Sequence, residues 1–207
     1  MDINTDGGLS VANASNLNVI LGKNGCGKSY LLKELERKLQ HLPGAKAIRY
    51  ISPERGGVMK YEPNIDASIM SSPQWMSDVR RTNQSPNFRG QSAVLFRRLE
   101  LLVLRKIESE NLRGCVSDLS FPHKIDRMNS LLDRVKIVRD DQAGFKIIDK
   151  VSGADTPPES ISSGEAELIS LGIEILSFAA EAIVGSQNVL FIDEPDVHLH
   201  PDLQFRL

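Results

Sequence analysis

The chain has 207 residues, of which 41% are hydrophobic and 25% charged, and its formal net charge is -2. This suits one soluble globular domain, or one domain with an insertion, and supplies no global basic field for nucleic acid or an anionic membrane. No apolar run approaches the roughly 18–20 residues of a membrane span, and the polar start MDINTDGGLS is unlike a targeting peptide, so a cytoplasmic protein without a membrane partner is expected.

Asn16–Gly22, NLNVILG, is a short apolar run closed by a glycine-rich turn, and it predicts a buried strand. Leu31, Leu35 and Leu39 then recur every four residues among Lys33, Glu34, Glu36, Arg37 and Lys38, the pattern of an amphipathic helix ended by Pro43 and Gly44. Ala45–Ser52 predicts a second strand, so residues 1–52 form a β-loop-α-β lobe. From Pro53 to about Gly90, prolines and glycines break every period, and an irregular segment of that length is usually functional or mobile. Ser92–Leu112 is a long helical pattern, a shorter one lies near Asp126–Arg134, and VKIVRDD and GFKIID flank Asp140–Gly144 as a hairpin. Residues 53–157 therefore predict an irregular segment followed by an inserted helical arm with a hairpin. In 158–207 a helix begins at SSGEAE and is apolar on nearly every face, which predicts burial. Asn188–Asp193 is an apolar strand that ends in acid.

GKNGCGKS, Gly22–Ser29, fits G-x-x-x-x-G-K-[ST] in full and lies between a predicted strand and a predicted helix. Gly22, Gly25 and Gly27 allow a tight turn whose N–H groups point inward at phosphate oxygens. The helix that follows places its positive end beneath the same phosphates. Lys28 can reach the β- and γ-phosphates, and the Ser29 hydroxyl can ligate Mg²⁺. The candidate ATP-binding residues are Gly22, Lys23, Asn24, Gly25, Cys26, Gly27, Lys28, Ser29 and Tyr30. Cys26 is read first as a small residue within the turn and second as a redox-sensitive thiol. With Cys115 it makes two cysteines without metal-ligand spacing, read as free thiols.

Asp193 and Glu194 stand where the last strand leaves the sheet, the end at which open α/β sheets bind ligands. Asp193 suits the water shell of Mg²⁺, and Glu194 can orient or deprotonate the attacking water, which makes Glu194 and Lys28 the candidate catalytic residues. In ISSGEAEL, Ser162, Ser163, Gly164 and Glu165 open a helix and form a second anion site. Glu167 also allows an ordinary capping arrangement with Ser162–Gly164. One domain does not need two γ-phosphate cradles, so this helix is expected to face the nucleotide of a second protomer.

In this order and spacing, GKNGCGKS, SSGE and VLFIDEP resemble the ABC-type ATPase heads. SSGEAEL and DEPDVHLHP resemble the RecF/OLD-like AAA-type ATPases of DNA repair and antiphage defence. Transporter cassettes usually carry a second signature glycine and a different sequence after the acidic pair. RYISPERGG and RGQSAVLFRRLE resemble the ATPase subunits of PARIS-type defence systems, in which an ATPase holds a toxic nuclease. The resemblance implies a P-loop α/β head with a mainly parallel core sheet, an inserted helical arm, and ATP with Mg²⁺ sandwiched between two heads. It further implies a homo-oligomer, a protein effector such as a nuclease or toxin, and DNA or a phage protein as a further candidate partner. An ATP-bound assembly scaffold with little turnover is the alternative.

The family's Mg²⁺-contacting glutamine is assigned to Gln91, with Gln84 and Gln74 as rivals, and Glu54 and Arg55 are candidates for the same edge. The spacing of His198 and His200 invites a metal reading but lacks a third ligand; the resemblance puts both in the loop that joins two active sites. Arg80, Arg81, Arg89, Arg97, Arg98, Arg105 and Lys106, against the single acid Glu100, could touch nucleic acid or an acidic partner, or simply form a solvated face. Trp75 hints at a contact surface. The resembled ATPases continue with a helix, another central strand and a histidine at the γ-phosphate. The expectation is thus a truncated ATPase, lacking the C-terminal part of the core unless a partner supplies it. Its sheet edge beside Asp193 and Glu194 would be apolar, and it would bind nucleotide better than it turns it over.

Overall fold

In the computed structural model the described residues are 3–4, 10–11, 15–43, 47–52, 63–72, 75, 94–105, 120–140, 144–157, 160–196, 199 and 201. They fall into two units, Met1–Pro53 with Ala182–Pro195 and Glu54–Glu181 with Asp196–Leu207. Along the chain, the long segment of the second unit interrupts the first.

In the first unit, β1 (Ile3–Asn4) pairs antiparallel with β2 (Ser10–Val11). The strand expected at Asn16–Gly22 is not formed. Ser15 and Asn18 close a turn there instead: the Ser15 N–H donates to Asn18 Oδ1 and Asn18 Nδ2 donates to the Ser15 carbonyl, both at 2.9 Å. Leu17, Val19 and Leu21 remain 80%, 73% and 88% exposed. A strand needs a neighbour to take its N–H and C=O groups, and among the described residues none pairs with this run. An apolar run closed by a glycine-rich turn is therefore not enough to make a strand.

Helix α1 (Lys28–His41) buries Leu35, Glu36 and Leu39 and gives way at Leu42, ahead of Pro43. Its apolar face packs on a parallel pair, β3 (Ile48–Ile51) beside β6 (Val189–Ile192), in register from Ile48↔Val189 to Ile51↔Ile192. Leu35, Leu39, Tyr50 and Phe191 form the centre of this core, and burying each leucine stabilises it by about 1.5–3 kcal/mol. Asn188 sets the entry to β6, since its Oδ1 accepts from the N–H of Ala47 at 3.1 Å and of Ile183 at 3.0 Å.

The second unit holds α2 (Pro63–Ser71) within the segment expected to be irregular. Pro63 opens this helix, where its missing N–H has no partner to lose. Residues 94–105 form α3, within the predicted helical pattern. Helix α4 (Phe121–Asn129) starts earlier than the expected Asp126, because Ser120 caps it and Pro122 occupies its first turn. Ser120 Oγ accepts from the His123 N–H at 3.3 Å. The hairpin is β4 (Val135–Asp140) with β5 (Gly144–Asp149). Helix α5 (Ser163–Glu181) is buried along most of its length, as its apolar faces predict.

One core joins these elements. Phe96 of α3 meets Phe121 of α4 edge-on at 5.2 Å and Phe145 of β5 at 4.8 Å, with Ile137, Ile169 and Ile173 around them. Gly172 lets α5 approach α4 closely, since a Cβ there would lie 2.7 Å from Met128 Sδ.

Candidate functional site

The loop before α1 is shaped by glycine. Gly25 has φ +80° and Gly27 φ +93°, left-handed backbone that disfavours a Cβ. A Cβ at either would meet nothing within 4 Å, so open space lies beside the loop. At Gly22, by contrast, a Cβ would fall 2.6 Å from Cys26 Sγ. Gly27 is the N-cap of α1, with no side-chain cap and no acidic residue in the first turn. The positive end of the helix therefore has no carboxylate of its own to answer it. The Lys28 ammonium donates to the Gly22 carbonyl at 2.8 Å and to the Lys23 carbonyl at 3.1 Å. Lys23, Asn24, Cys26 and Tyr30 are exposed, and Ser29 is half-buried in the first helical turn.

Asp193 follows β6 and is buried. Its N–H donates to the Ile51 carbonyl at 3.0 Å, continuing the parallel ladder. Its Oδ2 accepts from the Tyr50 hydroxyl at 2.7 Å, a bond from the neighbouring strand that the sequence reading missed. Burial first, and then the bond to Asp193, holds the Tyr50 hydroxyl far above the usual tyrosine pKa, so it stays a donor. The available signal was a hydroxyl-bearing aromatic residue inside the short strand IRYI. Glu194, half-buried, has φ +44°, a left-handed conformation that costs a non-glycine residue of order 1–3 kcal/mol. That backbone turns the chain off the strand at Glu194.

Lys33, in the second turn of α1, lies 5.6 Å from the centroid of the Tyr50 ring late in β3. This contact sets the first turns of α1 near the carboxyl ends of β3 and β6. The glycine loop, Ser29, Asp193 and Glu194 thus belong to one unit. The uncapped helix end, the open loop and the Lys28 ammonium fit a phosphate anion. Ser29 and Asp193 offer hard oxygen donors to Mg²⁺, which habitually completes its shell with water and substrate phosphate. Among the described residues there is no group of three or more His, Cys, Asp or Glu that could hold a metal unaided.

The start of α5 belongs to the second unit. Ser162 and Ser163 are exposed, and Gly164 and Glu165 buried. Glu165, not Glu167, makes the capping arrangement: its N–H donates to Ser162 Oγ at 3.2 Å, and the Ser162 hydroxyl donates to Glu165 Oε2 at 3.0 Å. Glu165 Oε1 accepts from the N–H groups of Arg134 at 3.0 Å and Val135 at 3.3 Å. Arg134 Nη2 in turn donates to the Ser160 carbonyl at 2.6 Å. Glu165 is thus committed within its own unit, while Ser163 faces solvent.

Gln91, Gln84, Gln74, Glu54, Arg55, His198, His200, Arg80, Arg81, Arg89, Lys106 and Cys115 lie outside the described residues. Arg97 and Arg105 are exposed on α3, and Glu100 pairs with Arg139 Nε at 3.0 Å. Trp75 packs against the core of the second unit. Among the described residues no helix is long and apolar enough to cross a membrane.

No curated protein and no solved structure matches the chain. A family model described as ABC transporter matches residues 11–197, a span that takes in the glycine loop, Ser162–Glu165 and Asp193–Glu194. The mixed α/β architecture with its parallel β3–β6 pair agrees with a P-loop head of that kind. The chain belongs to the ABC transporter family, as an ABC-type, ATP-binding ATPase head.

Proposed function

We propose that this head hydrolyses ATP with Glu194, pairs with a second copy around ATP, and serves as a switch in a bacterial antiphage-defence or DNA-repair assembly. The observation that carries the nucleotide site is Lys28, whose ammonium bridges two loop carbonyls beside an uncapped helix end. Lys28 and the loop amides hold the phosphates, and Ser29 and Asp193 hold Mg²⁺, which neutralises phosphate charge when bound. Glu194 orients or deprotonates the water. Ser162–Gly164 complete the site from the partner copy, with Ser162 and Ser163 the exposed members.

The assembly role rests on the likeness of SSGEAEL and DEPDVHLHP to repair and defence ATPases. An effector such as a nuclease fits that role, and a nuclease co-purifying with the chain from its host would support it. A scaffold that binds ATP with little turnover is the second reading. Mixing separates the two-copy site from a self-sufficient one: Lys28→Ala and Ser163→Arg chains, each inactive alone, recover part of the ATPase activity together. Absence of rescue in mixed oligomers counts against the paired head.

A further inference from the structure

We infer that Tyr50 is a positioning residue for Asp193, fixing its carboxylate from the neighbouring strand so that it can ligate the nucleotide's divalent cation. Two strands supply the two ends of one hydrogen bond. Tyr50 lies opposite Phe191 in the parallel register, and Asp193 follows β6 two residues later. The hydroxyl reaches Oδ2 at 2.7 Å with the tyrosine ring buried in the core of the first unit. A buried ring cannot swing away, so the donor stays where packing puts it. Lys33 at 5.6 Å covers the same ring from α1, which ties the tyrosine to the helix that also carries Lys28 and Ser29. Loss of this donor removes one of the contacts that set the directions in which the carboxylate presents its oxygens. Magnesium tolerates little freedom in those directions, because it demands near-ideal octahedral geometry.

The inference rests on reading Asp193 as a cation-ligating acid, and the test separates the two. Mn²⁺ affinity of the ATP complex is measured by electron paramagnetic resonance on the full chain, and ATP binding is measured in parallel with the metal chelated. Asp193→Asn tests the underlying reading and should abolish tight Mn²⁺ binding. Tyr50→Phe should weaken Mn²⁺ about 10- to 100-fold, as loss of a ligand's supporting hydrogen bond does, while chelated ATP binding stays within about twofold. If Asp193→Asn binds Mn²⁺ as the wild type does, the acid assignment fails. If Asp193→Asn fails to bind and Tyr50→Phe binds normally, the positioning role is overturned.

A second measurement does not depend on Tyr50→Phe folding. In wild-type chain labelled with 3-fluorotyrosine, the Tyr50 ¹⁹F resonance is assigned by elimination with Tyr30→Phe and Tyr61→Phe. Adding Mg²⁺ to the ATP complex should shift it, and an unmoved resonance would overturn the role.

Discussion

The Lys28 ammonium donates to the Gly22 carbonyl at 2.8 Å, so the loop holds its own cation across its mouth. A phosphate entering there gains a charge already in place and displaces only weak neutral acceptors. Lys28→Ala should therefore remove ATP binding, by at least about 10- to 100-fold on the scale of a charged hydrogen bond. The side chain bonds to exposed carbonyls only, so unfolding free energy should move by no more than about 0.5 kcal/mol. Equilibrium titration with a fluorescent ATP analogue and a denaturant melt measure the two quantities. Undiminished binding would remove Lys28 from the phosphate site.

Gly27 makes a complementary case, because its demand is conformational. With φ +93° and open space around it, a methyl group meets no neighbour but strains the backbone. Gly27→Ala should cost about 1–2 kcal/mol of stability and lower ATP affinity as the first turn of α1 shifts. Gly172→Ala offers the contrast: its Cβ would meet Met128 Sδ at 2.7 Å, a packing clash in the second unit. That variant should lose stability with ATP binding intact. Denaturation and titration of both variants check the division.

Glu194 combines a left-handed backbone, φ +44°, with a position directly after the buried Asp193. Strain of that kind points toward function when observed at a site. Glu194→Gln should retain ATP binding, trap associated heads, and lower steady-state hydrolysis by about 10²–10⁴-fold, the usual contribution of a general base. Sedimentation with and without ATP, beside a phosphate-release assay, reads both effects. Unchanged turnover in the assembled protein would reassign the base.

Much of the candidate site could be proposed because the residues it rests on stand in short contiguous runs. Gly22–Ser29 and Asp193–Glu194 each carry their spacing locally, and the glycines announce the backbone they need. Leu35 and Leu39 likewise gave α1 by their period, and Val135–Asp140 with Gly144–Asp149 gave the hairpin by alternation. What could not be read depends on partners distant in the chain. Leu17, Val19 and Leu21 lie in an apolar run that reads as a strand yet stay exposed, since pairing is a property of a neighbour and not of the run. Tyr50 and Asp193 are 143 residues apart, and nothing in either segment names the other. Helix α4 was misplaced for a nearer reason: Ser120 and Pro122 are start signals that the apolar pattern near Asp126 overshadowed.

Glu165 shows how a signature residue can serve the fold. Its carboxylate takes the N–H groups of Arg134 and Val135 and the Ser162 hydroxyl, and it is 6% exposed. Truncation leaves two backbone donors at the start of β4 without their acceptor and loosens the first turn of α5. Glu165→Ala should cost about 2–4 kcal/mol, combining a charged hydrogen-bond network with a lost cap. Glu165→Gln keeps an acceptor for the amides and should retain most of that stability. Ser163→Ala removes an exposed hydroxyl and should leave stability within about 0.5 kcal/mol. Denaturant melts order the three variants, and amide exchange at Arg134 and Val135 reports the tie directly. Protection of those two amides surviving in Glu165→Ala would show that another group accepts them and that Glu165 is available for a partner's nucleotide after all.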